Sequence, residues 1–481
     1  MNRRMIFHLI GKILQVEALL LIVPAVVSLI YKESSLWAFL FSSVITVLVG
    51  TALVIISRPK SSVIYARDGL IIVALAWLCM SLFGALPFYI SREIPSYVDA
   101  FFEIVSGFTT TGSSILKNVE ALSHGCILWR SLSQWLGGMG VLVFVTAVIP
   151  NLSDRAIHII RAEMPGPIVG KLVPRVKDTS RVLYLIYIVL TALEVIMLLF
   201  SGLDLFESSV LSFSTTATGG FSVRLDGMAS YSPYVQWVIT VFMFLSGINF
   251  NLYYLCIIKR FSSAIKSEEL WTYISMVLAS VGIITVNTLS YYNSLSDTIR
   301  HAAFQVSSII TTTGYGSVDF NLWPSVSKAV LLILMFTGAC AGSTAGGFKL
   351  SRVIIIFKTI KNECQRLVHP RSVRSVKFEG KALDHVTRHG VTAYLGIYMV
   401  CILAIFLLIS VDNFSLEANF SAAVSCFNNI GPGFDAVGPM SSFADYSNFS
   451  KIILSFAMLL GRLEIYPLLL IFSIGTWKKN R

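Results

Sequence analysis

Apolar positions in this chain come in long blocks separated by short polar stretches. Residues 13–30, 36–56, 70–90 and 182–200 each hold at most one charged side chain. The hydrocarbon core of a bilayer takes about 20 helical residues to cross. Blocks of this length predict transmembrane helices, because soluble helices rarely lack charges over such runs.

After the two opening blocks, 13–30 and 36–56, one unit recurs four times. Each unit is an apolar helix, a shorter and more polar helix, a glycine-centred loop and a second apolar helix. Unit one runs 70–90, 99–108, Thr109-Thr110-Thr111-Gly112-Ser113, then 128–149. Unit two runs 182–200, 205–214, Thr216-Ala217-Thr218-Gly219-Gly220, then 235–258. Unit three runs 271–289, 297–310, Thr311-Thr312-Thr313-Gly314-Tyr315-Gly316, then 326–357. Unit four runs 391–410, 416–427, Asn428-Asn429-Ile430-Gly431-Pro432-Gly433, then 452–474. The chain therefore divides into an opening pair at 1–67 and units at 68–155, 156–262, 263–388 and 389–481. Two opening spans and four pairs predict ten crossings. The expected fold is an all-α integral membrane protein, with four pseudo-symmetric helix–pore helix–loop–helix units around a central pore.

The short helices, of 10 to 14 residues, cannot cross a bilayer and suit re-entrant segments. Non-helical backbone at membrane depth is tolerated only where protein surrounds it or where it lines a watery path. Four such loops in one chain predict a shared axis.

Composition agrees. Charged residues make up 13% of the 481, against about 25% in soluble domains, and mean hydropathy is +0.75. The net charge of +11 would suggest nucleic acid in a soluble protein. Here it follows alternate loops, so a positive-inside bias explains it and no nucleic-acid partner is expected. Basic residues cluster at 58–67, 155–181, 259–266 and 358–388 and at both ends, with about 28 of 37 on one side. That places both termini in the cytoplasm, with an even number of spans. Seven scattered cysteines form no CxxC, which argues against disulfides and structural zinc. The 13–30 block is read as a retained helix rather than a cleaved leader.

A dehydrated cation needs oxygens in place of its water. Backbone carbonyls supply them without a full negative charge, so the ion can also leave. Glycine allows the dihedrals that aim successive carbonyls at one axis. Threonine adds a hydroxyl and β-branched stiffness. Gly112, Gly219, Gly314 and Gly431 are expected at equivalent places. The expected selectivity filter is Thr110, Thr111 and Gly112; Ala217, Thr218 and Gly219; Thr312, Thr313 and Gly314; and Asn429, Ile430 and Gly431. Loop three comes closest to the TVGYG filter of potassium channels.

Further motifs accompany the loops. They are Gln134-Trp135-Leu136-Gly137-Gly138-Met139-Gly140, Gly247-Ile248-Asn249-Phe250, the glycine-rich run 338–347, and Gly461-Arg462-Leu463-Glu464. With the four loops, they resemble the membrane subunits of the Trk/Ktr/HKT superfamily of potassium transporters over nearly the whole chain. The two extra N-terminal spans favour the bacterial Trk type. The resemblance implies potassium uptake across the bacterial inner membrane, with K+ as the transported ion held by filter carbonyls alone. It also implies a homodimer on a cytosolic, nucleotide-binding, TrkA-like regulatory subunit of RCK type, with the nucleotide on that partner. In plant relatives a serine can replace the first filter glycine and loosen selectivity towards sodium; Gly112 is the potassium-favouring form. The fourth loop, Asn-Asn-Ile-Gly-Pro-Gly, departs most from the others.

Two features suggest a gate. Gly338, Gly342, Gly346 and Gly347 fall within ten residues, alongside Ser343 and Thr344. Each glycine costs a helix about 1 kcal/mol against alanine, so the helix should break. The result is a loop beneath the filter that obstructs permeation; close helix packing through small residues is the alternative. The run lacks the spacing of a phosphate-binding loop. Arg462 interrupts the last apolar block, and a charge there faces a cavity or a partner. It is expected to reach the pore below the filter and repel cations; the alternative is a structural bond to backbone carbonyls or Glu464. Asp99, Glu103, Glu207 and Asp435 suit an acidic outer mouth or, singly, caps and surface charges. Segment 358–388 suits either an acidic regulatory surface or lipid headgroups.

A proton- or sodium-coupled symporter is the second reading. Only Arg462, Glu17 and Glu194 are candidate ionisable groups for it. No intramembrane Ser/His or HExxH pair is present, so an enzyme is not expected.

Overall fold

The computed structural model describes residues 2–59, 66–140, 176–370 and 375–473. The basic loop 155–181 up to residue 175, the end of the expected span 128–149, and the C-terminal basic cluster lie outside them.

The described chain is helical, apart from a hairpin pairing Lys377–Phe378 with Lys381–Ala382. The opening pair is Arg3–Ile30 and Ser35–Ile56. Their backbones touch where Gly11 meets the Gly50 carbonyl; a Cβ on Gly11 would lie 2.6 Å from it. Only 22% of Ser35–Ile56 is buried, against 61% of Arg67–Ile90. The first is therefore peripheral, with Phe41, Leu48 and Ile56 bared to lipid, and the second is central.

Each unit contains its predicted short helix: Tyr97–Phe108, Leu205–Thr216, Leu295–Ile310 and Leu416–Asn428. The sequence starts them by side-chain capping. Ser96, Asp204, Ser294 and Ser415 accept from the N–H three residues on, satisfying donors that a helix start leaves free. The loop-side ends are buried, including Phe108, Thr216, Ile310 and Asn428.

Among the described residues six helices are long and apolar enough to cross a membrane, or seven if one bent pair counts as a span. The difference from ten falls on the second helix of each unit. The first of these ends at Gly138. The expected continuous span 235–258 is instead Pro233–Ser246 and Phe250–Ile257, bent by 88°. Asn249 makes the break: its side chain accepts from the Asn251 N–H and starts a new helix. The expected span 452–474 breaks too, into Asn448–Arg462 and Tyr466–Phe472. Glu464 and Ile465 carry positive φ there, and Pro467 sits in the first turn of the new helix. The third unit breaks as expected, between Ser325–Thr337 and Leu350–Val368.

Candidate functional site

All four short helices end the same way. Thr110, Thr218, Thr312 and Asn429 are left-handed, at φ of 55°, 54°, 58° and 57°. The next N–H in each loop reaches back five residues: Thr111 to Ser106, Gly219 to Ser214, Thr313 to Ser308 and Ile430 to Ser425. This is the Schellman ending, whose left-handed position normally holds glycine. A β-branched threonine there is an outlier. Such strain, about 1–3 kcal/mol per residue, concentrates at functional sites.

The shared geometry corrects one equivalence. The next left-handed residues are Gly112, Gly220, Gly314 and Gly431. Gly220, not Gly219, is thus the counterpart of the other three glycines. Gly219 occupies the place of Thr111, Thr313 and Ile430, and Ala217 that of Thr109, Thr311 and Asn428. Hydropathy and spacing could not choose between adjacent glycines; the backbone does.

The four glycines close a ring. A Cβ on Gly112 would meet the Gly219 carbonyl oxygen, one on Gly220 that of Thr313, one on Gly314 that of Ile430, and one on Gly431 that of Thr111. Each approach is within 3.0 Å, so only glycine fits. The contacts run from loop one to two, three, four and back to one, so the loops surround a single axis. The short helices therefore turn their C-terminal, partially negative ends towards that axis.

Outside the ring the loops are tied down. Thr109 and Thr111 share a hydroxyl contact of 2.7 Å, and Thr311 and Thr313 one of 2.8 Å. Ser113 donates to the Gly431 carbonyl at 3.0 Å. Asn429 donates to Thr111 Oγ1 at 3.0 Å and to the Met458 carbonyl at 2.9 Å. Tyr315 donates to the Phe221 carbonyl at 3.2 Å. Sequence reasoning named Gln134 only within a motif and gave it no role; its Nε2 donates to the Gly219 carbonyl at 2.6 Å. Sequence reasoning missed Arg130, which pairs with Glu103 at 2.8 Å where both are buried.

Segment 338–347 lies against the base of these loops. The Gly346 N–H donates to Thr312 Oγ1 at 2.7 Å, and its Cβ position approaches the Asn428 carbonyl. Thr344 Oγ1 lies 3.2 Å from the Thr216 carbonyl and 3.3 Å from that of Ser246. Ala341 N–H donates to Glu269 at 2.8 Å. Gly338, Gly342 and Gly347 have positive φ, while Ser343 bonds back to the Cys340 carbonyl at 2.6 Å.

Arg462 completes the arrangement. Its guanidinium donates to the Thr344 carbonyl at 3.0 Å, to Gly138 at 2.8 Å and to Gly137. Glu464 instead pairs with Arg352 at 2.6 Å, since two-residue spacing points the side chains apart. Segment 338–347 and Arg462 together touch all four units.

The acidic residues considered for the outer mouth all have partners. Asp99 pairs with Lys451 at 2.7 Å, Glu207 with Arg224 at 3.1 Å and with Tyr231, and Asp435 with Ser415. Glu103 is fully buried, so it anchors loop one rather than facing the mouth.

Helices of this length and apolarity, gathered around four loops that meet at one axis, define a multi-pass membrane protein. The model of the TrkH family, described as cation transport protein, matches residues 36–479. The chain belongs to the TrkH family. The Trk system potassium uptake protein TrkH of Salmonella typhimurium is 35% identical over 491 residues, covering 100% of both chains. The protein TrkG of Escherichia coli, of the same system, is 33% identical and covers 99% of each. The crystal structure of the potassium transporter TrkH from Vibrio parahaemolyticus superposes with a TM-score of 0.88 at 30% identity. That match covers 99% of this chain and 100% of the other.

Proposed function

We propose that this chain takes up potassium through a pore whose selectivity filter is the ring of four loops. The carrying observation is the closed cycle of glycine-to-carbonyl contacts among Gly112, Gly220, Gly314 and Gly431. It brings the carbonyls of Thr111, Gly219, Thr313 and Ile430 around one axis, where they can replace the water of a bare cation. The names of the relatives, potassium uptake proteins, support potassium as that cation. The ion is substrate, held by backbone oxygens alone.

Segment 338–347 acts as the gate, with Arg462 as its fastener and as a positive barrier below the filter. Its bonds to Thr216, Thr312 and Arg462 support a closed state here. Opening requires those few bonds to be exchanged. A cytosolic, nucleotide-binding, TrkA-like subunit would drive that exchange on the basic cytoplasmic face, with the chain as a homodimer in the inner membrane and both termini inside.

Flux of 86Rb+ into proteoliposomes tests the reading. Uptake that potassium blocks and sodium does not is expected; equal block by sodium overturns a potassium filter. The buried carboxylates Glu17 and Glu194 favour the second reading, a proton- or sodium-coupled symporter. Flux that collapses without a proton or sodium gradient would establish it.

A further inference from the structure

Three of the four loops carry a side chain at the position just before the ring glycine: Thr111, Thr313 and Ile430. Loop two has Gly219 there. In loops one and three the threonine hydroxyl meets a second threonine two residues earlier, Thr109 or Thr311. Loop two lacks that partner as well, since the residue is Ala217.

Gln134 fills the gap from a neighbouring helix, His124–Gly138. Its side chain is fully buried. Nε2 donates to the Gly219 carbonyl at 2.6 Å, and Oε1 accepts from the Phe221 N–H at 3.2 Å. One carboxamide thus grips loop two on both sides of Gly220. A Cβ on Gly219 would fall within 3.0 Å of the Gln134 side chain. Yet Gly219 is not among the left-handed glycines, so its backbone would accept a side chain. What excludes one is Gln134 itself.

The neighbouring unit shows the contrast. Gly138 faces Ala217 as Gly247 faces Thr311. Four residues before Gly247 stands Met243, buried, apolar and in one cluster with Tyr315 of loop three, and loop three has its own Thr313. The polar backing residue accompanies the loop without a side chain. One turn before Gln134, Arg130 extends the same support: Nη1 donates to the Ser222 carbonyl at 3.3 Å, and the guanidinium lies 4.1 Å from the Phe221 ring centre.

We propose that Gln134 is a selectivity-determining positioning residue, a side chain lent by the first unit to the second loop to hold the Gly219 carbonyl in the ring. This rests on the ring being the filter. Gln134 touches no ion; it acts by fixing the peptide between Gly219 and Gly220.

The test is the K+/Na+ permeability ratio, from reversal potentials of the purified full chain in planar bilayers. Gln134→Met keeps the volume and removes both bonds. It is expected to lower the ratio about tenfold while Rb+ still permeates, the scale of one buried hydrogen bond left unmade. The exchange Q134A/A217T/G219T rebuilds loop two in the Thr-Thr-Thr-Gly pattern of loop three and is expected to restore the ratio to within about threefold, since the coupled changes compensate. A wild-type ratio in Gln134→Met overturns the proposal. Gly314→Ala, run beside it, separates the causes. If it collapses selectivity while Gln134→Met does not, only the role of Gln134 fails; if neither moves the ratio, the filter reading fails too. Should Gln134→Met not fold, the exchange variant decides: a potassium-selective pore supports the proposal, and a folded, unselective pore overturns it.

Discussion

The ring of loops and segment 338–347 are both glycine-rich, both non-helical and adjacent, yet they are held in opposite ways. In the ring, a Cβ on any of the four glycines would fall within 3.0 Å of a neighbouring loop's carbonyl oxygen. Two residues before each of them the loop leaves its short helix in the same left-handed ending, bonded back to that helix. Segment 338–347 has positive φ at Gly338, Gly342 and Gly347, but its anchors include separate polar bonds from Thr344, Glu269, Thr312 and Arg462. Each is one hydrogen bond deep. The segment also meets backbone, at Asn428 and through bonds with Gly247 and Phe250, but no closed cycle of glycines locks it; a closed cycle gives a rigid device, and an open set of separate bonds gives one that can move. Variants in the ring should therefore change which ion passes, and variants in the segment how often the pore is open.

The largest effect is expected from Gly220→Ala. The positive φ alone costs about 1–3 kcal/mol, and the new methyl overlaps the Thr313 carbonyl. Potassium-selective uptake should be lost; a variant with intact selectivity would dissolve the comparison. Arg462→Ala comes next. It removes charge-assisted bonds to three carbonyls, each worth about 1.5–3 kcal/mol. Single-channel recording should show open probability raised about tenfold or more, with the K+/Na+ ratio unchanged. Unchanged conductance and open probability would remove Arg462 from the gate. Thr344→Val deletes one hydroxyl, a loss of about 0.5–1.5 kcal/mol, and should raise open probability a few-fold. The smallest effect belongs to the surface. Lys117 and Asp445 pair at 2.6 Å with side chains about two-thirds exposed. Lys117→Ala should change thermal stability by no more than ~1 kcal/mol and leave transport untouched.

Much of the architecture could be read in the sequence because lipid imposes it. Apolar blocks of membrane length announced the first helix of each unit, and the threonine–glycine loops announced the re-entrant helices. The break at 338–347 was legible because four glycines crowd it. The break at Gly247-Ile248-Asn249 was not, since apolar residues continue on both sides and hydropathy does not register one capping asparagine. Nor was the break after Arg462, where Glu464 and Ile465 take a left-handed turn that their side chains do not advertise. The register of loop two slipped by one because Gly219 and Gly220 are alike in composition and differ only in φ. Gln134 and Arg130 lie 85 and 92 residues from the loop-two atoms they hold, and no local pattern carries such contacts.

The central claim is that the ring conducts potassium selectively and that segment 338–347 interrupts it. Single-channel recording of the purified chain in a planar bilayer, under opposed potassium and sodium gradients, tests it most directly. Discrete potassium-selective steps, longer and more frequent in Arg462→Ala, are the predicted result. Silence in both proteins, with potassium entering liposomes only under a proton or sodium gradient, would contradict it and make the four loops part of a coupled carrier.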